Sequence, residues 1–331
     1  MKSTESTAAG LAAAGSGRDR LLRLIHFPLI RLLLAVIVVS LALNATRIAL
    51  KLAGLAHAPG APRQPSLVFI GTVATIVVVH VAYLLYVRYV ERRAPTELAA
   101  AGAVRELACG MLLGALLFSV TIGVLWAGGW YRVTGTNQWT TAAIPLLLAA
   151  GAAYVEELIV RGILFRNIED MLGSWLALAI TALLFGLAHI FNPHATLVSA
   201  LAIALEAGVL LAAAYMVTRR LWLAIGTHFA WNFVQGGIFG VAVSGSASSG
   251  ILRGELHGPP LLSGGSFGAE GSLIAVLVCL AAAIPLIALA RRRGHVAPPM
   301  WRRPLTTADV PQLNSTAAFT RASISGGGGN P

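Results

Sequence analysis

The chain has 331 residues, 57% of them hydrophobic and only 11% charged, with a mean hydropathy of +0.78. Soluble domains carry about 25% charged residues, so this composition excludes a water-soluble globular protein. The net charge of +11 would suit a polyanionic partner, but its distribution reports membrane orientation and leaves no role for nucleic acid.

Apolar segments near the roughly 20-residue length of a spanning helix recur at about 32–53, 67–87, 107–127, 142–165, 174–191, 195–217, 221–243 and 271–290. The expected fold is all-α: a polytopic integral membrane protein of about eight transmembrane helices, in the plasma membrane if the source is bacterial. With the N-terminus inside, all but five of the 24 basic residues fall in cytoplasmic segments. The outer side keeps Arg47, Lys51, Arg63, Arg132 and Arg253. This positive-inside bias predicts an N-in, C-in chain with an even helix count.

In chain order, residues 1–20 are rich in Ser, Ala and Gly and are expected to be a disordered cytoplasmic N-terminus. The apolar run that follows is too long for a cleavable signal and lacks a cleavage site. Residues 21–139 hold three transmembrane helices. The first carries Asn44, Arg47 and Lys51 near its outer end, where long side chains snorkel. Pro59, Pro62 and Pro65 mark the next loop, and His80 in the second helix is read as a helix–helix hydrogen bond. Arg88–Arg105 is a charged cytoplasmic loop in which Pro95 or Thr96 opens the approach to the third helix. Trp126, Trp130, Tyr131 and Trp139 form an aromatic belt at the outer face. Cys109 and Cys279 stand in apolar segments, are read as small buried side chains, and offer no disulfide framework or metal spacing.

Residues 140–240 read as a core of four transmembrane helices. Gly173-Ser174 separates two of them as helix-ending glycine and N-cap serine, and Asn192-Pro193 ends the second. Residues 241–270 form a Gly/Ser-rich extracytoplasmic loop, 271–293 the last transmembrane helix, and 294–331 a disordered cytoplasmic tail. No internal repeat and no second soluble domain is present.

The chemistry lies in the few polar residues inside this core. Val155-Glu156-Glu157-Leu-Ile-Val-Arg161 places two carboxylates and a guanidinium in an apolar run. Such groups are costly unless paired or set in a wet cavity, which makes them functional candidates. On a helix Glu157 and Arg161 are i,i+4 neighbours that can pair, whereas Glu156 is rotated about 100° away and is free to face something else. A buried cluster that only locks helices together is the other reading of the same residues. The remaining polar residues are His189, Glu206, His228 and Asn232. A hairpin turning at Gly173 puts Glu156 and His189 at one depth, each about 24 Å from the turn at 1.5 Å per residue. His228 and Asn232 share a helix face. One intramembrane pocket lined by Glu156, His189, His228 and Asn232 is therefore expected. Glu206 is expected to partner Arg161 or a histidine, and His194 is a loop histidine.

Glu156-Glu157-x-x-x-Arg161, Phe185-x-x-x-His189 and His228-x-x-x-Asn232, in this order on successive apolar segments, resemble the CPBP family. Its members are type II CAAX prenyl endopeptidases and bacteriocin-processing or immunity proteins, also called the Abi family. The resemblance covers about residues 140–236. It implies an intramembrane endopeptidase in which Glu156, assisted by His189, activates water, His228 and Asn232 hold the oxyanion, and Glu157 and Arg161 organise the site. Amide hydrolysis needs an activated water and donors aimed at developing charge. The implied substrate is a membrane-embedded or lipidated peptide or protein. Members are also called metalloproteases, and Glu156, His189 and His228 are a possible zinc donor set, although no His-Glu-x-x-His is present. Zn2+ is thus a candidate cofactor and none is required. The competing function is a non-proteolytic immunity or scaffold protein, or a small transporter using the same cavity. A transporter would show inverted repeats and interrupted helices in both halves, which this sequence lacks.

Overall fold

Proline at the first turn opens each of the first two helices, where its missing N–H is no loss. These are α1, Pro28–Leu52, and α2, Pro65–Tyr86. They come from a computed structural model that describes residues 27–56 and 62–302. The N-terminal stretch 1–20, Pro59 and the end of the tail lie outside the described residues. Next come α3, Ala103–Ala127; α4, Ala143–Glu157, which continues as a π-helical stretch over Leu158–Phe165; and α5, Arg166–Ala188. They are followed by α6, Leu197–Ile203, α7, Val209–Thr218, α8, Trp222–Phe233, α9, Pro260–Ser263 and α10, Leu273–Arg292.

Six helical runs among the described residues are long and apolar enough to cross a membrane: Pro28–Leu52, Pro65–Glu91, Ala103–Ala127, Trp139–Phe191, Leu197–Thr218 and Leu273–Arg292. The expected segments 142–165 and 174–191 both lie in the run Trp139–Phe191. That run is not a straight rod. Gly173, at φ 79° and ψ 168°, breaks it, and Phe185 beyond the break stacks against the Arg161 guanidinium before it, 4.9 Å away. The chain therefore reverses at Gly173. The expected segment 221–243 is shorter, α8 plus a π-turn over Val234–Ile238.

Helix α8 is held by close backbone contact with α3. A β-carbon at Gly114 would stand 2.1 Å from the Thr227 carbonyl oxygen, one at Gly110 would stand 2.3 Å from that of Leu223, and one at Gly226 would stand 2.3 Å from that of Leu107. Small residues let helix backbones approach to this degree in a bilayer. The contact fixes α8 one residue from His228.

One end of the bundle is laced with guanidinium–carboxylate pairs. Arg31 meets Asp170 at 2.7 Å, Arg93 meets Glu91 and Glu97 at 2.6 and 2.8 Å, and Arg166 meets Glu91 at 2.5 Å. Arg219 pairs with Glu169, and Arg220 with Glu106. The loop 88–105, expected as a charged cytoplasmic connection, is tied down here. Its Glu97 is buried, accepts from Tyr83, and its backbone carbonyl accepts from the N–H of Leu221. Above this layer Leu158, Ile163, Phe165, Tyr215, Met216 and Leu221 form a closed apolar core.

The first residues of the expected tail also belong to this end. His295 donates from Nδ1 to the carbonyls of Met216 and Val217 at 3.0 and 3.1 Å, and Ala297 and Ser174 exchange hydrogen bonds of 3.0 and 2.8 Å. His295 and Ala297 are thus tied to the bundle. Ser174 spends its hydroxyl on Glu169 and Ala297 instead of capping a helix.

At the opposite end a two-stranded antiparallel ribbon joins β1, Tyr131–Thr136, to β2, Leu252–Leu256, with an irregularity between Val133 and Gly135. It is an addition to the expected all-α fold and ties the 241–270 loop to the bundle. Tyr131, expected in an exposed belt, is buried and donates to the Phe239 carbonyl at 3.1 Å, while Trp126 and Trp139 remain exposed. Cys109 is exposed on α3 and Cys279 is buried, both as free thiols. His80 bonds through Nδ1 to the Tyr154 hydroxyl at 2.5 Å, joining α2 to α4. His194 is exposed.

Candidate active site

Glu157 ends α4 where the backbone widens into the π-helical stretch, and both it and Arg161 are 0% exposed. Arg161 donates to Glu157 Oε1 at 2.8 Å. Its other terminal nitrogen donates to the carbonyls of Ala207 and Gly208 at 3.2 and 3.1 Å. Those carbonyls are within reach because 204–208 is itself a π-turn, whose wider register frees oxygens that an α-helix would use internally. Desolvating an ion pair is costly unless further hydrogen bonds satisfy it; here the backbone of the neighbouring helix satisfies one guanidinium nitrogen, while Glu157 Oε2 and Arg161 Nε have no hydrogen-bond partner among the described residues.

The same Glu157 oxygen accepts from His228 Nδ1 at 3.0 Å. Because a carboxylate only accepts, Nδ1 carries the proton and Nε2 faces away from Glu157. Glu156, one residue earlier, points elsewhere. Its side chain is 37% exposed, and Oε2 stands 3.9 Å from His228 Nε2, too far for a hydrogen bond and close enough for one bridging water. His189 closes α5 and bonds through Nδ1 to the Phe185 carbonyl at 2.7 Å. A carbonyl likewise only accepts, so the neutral ring offers Nε2 as an acceptor.

Glu156, His189, His228 and Asn232 line one cleft of about 680 Å³ between α1, α2, α4 and the 243–248 loop. Behind it His189, His228 and Asn232 also border a chamber of about 20 Å³, room for roughly one water. The four residues expected to share a pocket do so.

Glu206 lies on the inner chamber and is buried, but its partner is neither Arg161 nor a histidine. The Cys279 thiol donates to its Oε2 at 3.3 Å, and Oε1 has no hydrogen-bond partner. A second buried carboxylate, Glu270, also lines the chamber and accepts from the backbone N–H of Ser244. Burial pushes its carboxyl above the usual range, opposed by nearby His189 and by the Ser244 bond. Sequence reading missed Glu270: next to an apolar run it stands where an acidic residue ordinarily opens a helix, and nothing local marks it as enclosed.

The metal reading does not fit this geometry. Among the described residues no three His, Cys, Asp or Glu side chains are placed to hold an ion, so Glu156, His189 and His228 do not make a zinc set, and no step below is routed through a metal.

Neither the curated proteins nor the solved structures contain a match to the chain. A family model described as type II CAAX prenyl endopeptidase Rce1-like matches residues 137–234. That stretch runs from the ribbon through α8 and contains Glu156, Glu157, Arg161, His189, Glu206, His228 and Asn232. The chain is thus an integral, multi-pass membrane protein whose residues 137–234 are similar to the Rce1-like type II CAAX prenyl endopeptidases, a match that supports the CPBP, or CAAX protease, family.

Proposed function

We propose that this protein is an intramembrane endopeptidase that hydrolyses a peptide bond of a membrane-embedded or lipidated polypeptide, with Glu156 as general base. The observation that carries the reading is the division of labour in the glutamate doublet. Glu157 is sealed against Arg161 and His228, whereas Glu156 reaches the cleft with its carboxylate 3.9 Å from His228 Nε2. Glu156 takes a proton from water, and the oxygen attacks the scissile carbonyl. His189 Nε2 orients that water as a second acceptor. The oxyanion is held by the Asn232 amide and by His228, which must then carry protons on both ring nitrogens, Nδ1 toward Glu157 and Nε2 toward the cleft. Glu156 returns its proton to the leaving nitrogen as the C–N bond breaks. A positioned base contributes about 10²–10⁴ in rate and an oxyanion donor about 10²–10³.

A prenyl or acyl chain suits the aliphatic wall of the cleft, formed by Leu50, Leu55, Leu67, Val68 and Leu148. The arrangement in the membrane is N-in, C-in, with eight crossings once the hairpin at Gly173 is counted as two and α8 as one, in the plasma membrane if the source is bacterial. The test is Glu156→Gln. Membrane proteomes of cells carrying the wild type should contain shortened polypeptides that vanish with the variant, while its detergent unfolding temperature stays put. Identical proteomes overturn the reading.

A further inference from the structure

The last spanning helix and the hairpin turn meet at the arginine-rich end. Helix α10 runs into Arg291-Arg292-Arg293, and the chain then doubles back over the turn at Gly173. Ser174 and Ala297 exchange hydrogen bonds, and a β-carbon at Gly173 would stand 2.8 Å from the Pro299 nitrogen. The strap is therefore seated directly on the turn, and Met300–Arg302 follow it as a single 3-10 turn. Trp175, two residues past Gly173, lies under the Arg291 guanidinium, 5.9 Å from ring centroid to charge. The end of α10, the strap and the start of the second hairpin arm thus form one patch.

The positive charge of this patch is not cancelled. Residues 273–302 contain no Asp or Glu. Of the acidic residues at the hairpin tip, Asp170 meets Arg31 and Glu169 meets Arg219. Arg293 turns inward to the Val217 carbonyl at 3.0 Å. Arg291, Arg292 and Arg302 are exposed and, among the described residues, join none of the ion pairs that hold this end. The carbonyl end of α10 favours cations, but it supplies only about half a negative charge against three guanidiniums.

The exposed aromatic rings indicate the partner. Trp175 and Trp301 are 49% and 64% exposed. Helix α10 is long and apolar enough to span a bilayer, so its end stands at the headgroup layer. Indole rings favour that layer, arginine stems snorkel to it, and guanidinium groups match phosphate geometry. On the N-in, C-in arrangement this end meets the cytoplasmic leaflet, which carries the anionic lipids.

We propose that Arg291, Arg292 and Arg302, flanked by Trp175 and Trp301, bind the headgroup of an anionic glycerophospholipid. The bound lipid links α10 to the turn between the arms that carry Glu156 and His189, and so braces that hairpin.

The experiment uses the full chain in neutral detergent at about 0.1 M salt, where the Debye length is about 10 Å. Phosphatidylglycerol and phosphatidylcholine are titrated separately, with bound lipid counted by native mass spectrometry and unfolding followed by heating. The wild type should prefer phosphatidylglycerol and unfold at a higher temperature with it, because a ligand of the folded state stabilises that state. Arg292→Gln, which breaks no hydrogen bond or ion pair among the described residues, should weaken phosphatidylglycerol about fivefold. Arg291→Gln, Arg292→Gln and Arg302→Gln together should weaken it about a hundredfold. Lys51→Gln, Arg63→Gln and Arg253→Gln together remove the same net charge at the opposite end and should change the affinity less than about twofold, since those charges are screened. Equal losses in the two triple variants overturn the site, because general charge attraction would produce them. Equal binding of the two lipids by the wild type overturns it as well. Displacement of the lipid by inorganic phosphate at equal concentration would mark a simple anion site and overturn the lipid assignment. Should the triple variant fail to fold, Arg292→Gln decides alone, and an unchanged affinity there counts against the site. Headgroup binding asks nothing of the catalytic base, so Glu156→Gln should bind lipid as the wild type does whether or not the endopeptidase reading stands.

Discussion

The two ends of this bundle solve opposite problems with the same residue types. At the arginine-rich end every carboxylate named above meets a guanidinium: Glu91 and Glu97 meet Arg93, Glu169 meets Arg219, and Glu106 meets Arg220. At the cleft Glu156 pairs with no guanidinium among the described residues, and its carboxylate stands 3.9 Å from His228 Nε2 instead. Between them lies the Glu157–Arg161–His228 cluster, buried like the first end and facing the second. Pairing makes a closed end; separation leaves a carboxylate with a task.

The comparison breaks most readily at Gly114. A valine there would drive its side chain into the Thr227 carbonyl, 2.1 Å from the ideal β-carbon position, and displace α8 with His228 and Asn232. Gly114→Val should leave no monodisperse peak on size exclusion in detergent. Gly123→Ala, on the same helix with open space around it, should elute normally.

Next is the central cluster. Arg161→Leu strands a buried Glu157 carboxylate and should cost about 3–5 kcal/mol, read as a lower unfolding temperature. Adding Glu157→Gln should restore part of the loss, since a neutral amide tolerates burial better. No recovery would mean that Arg161 acts through its bonds to Ala207 and Gly208 alone.

The closed end yields a smaller, pH-dependent effect. Burial alone would raise the Glu97 carboxyl, but the bonds from Arg93 outweigh it and hold the group below its ordinary range. A carboxyl lowered in the folded state contributes stability above its unfolded value of roughly 4, and that contribution is lost as pH falls through the lower folded value. Wild-type unfolding temperature should therefore drop on acidification below that range. Glu97→Gln should start about 1–3 kcal/mol lower and show a flatter profile. The smallest effect is at Arg132, which meets Glu255 at 2.9 Å on the exposed ribbon. Such pairs contribute little, and Arg132→Ala should leave the melting curve unmoved.

What was legible in advance was local. The i,i+4 spacing of Glu157 and Arg161, and the equal distances of Glu156 and His189 from Gly173, follow from helical geometry alone and carry most of the site. Glu206 shows the limit. Its position in an apolar run marks it as unusual, but its thiol partner on α10 is 73 residues away, and no spacing rule reaches that far. Glu270 and the ribbon were missed for the same reason: the burial of one and the pairing of the other are decided by the return of the 241–270 loop onto the bundle.

The sequence by itself determined the membrane class, the helical architecture and the three motifs, because hydrophobicity, charge and periodicity are properties of short windows. Tertiary structure alone decided that Ser174 ties down the tail, that Glu206 faces a cysteine, and that one end is sealed while the other holds a cleft. Those outcomes depend on which distant backbones approach, and contact between remote segments leaves no periodic trace in the chain.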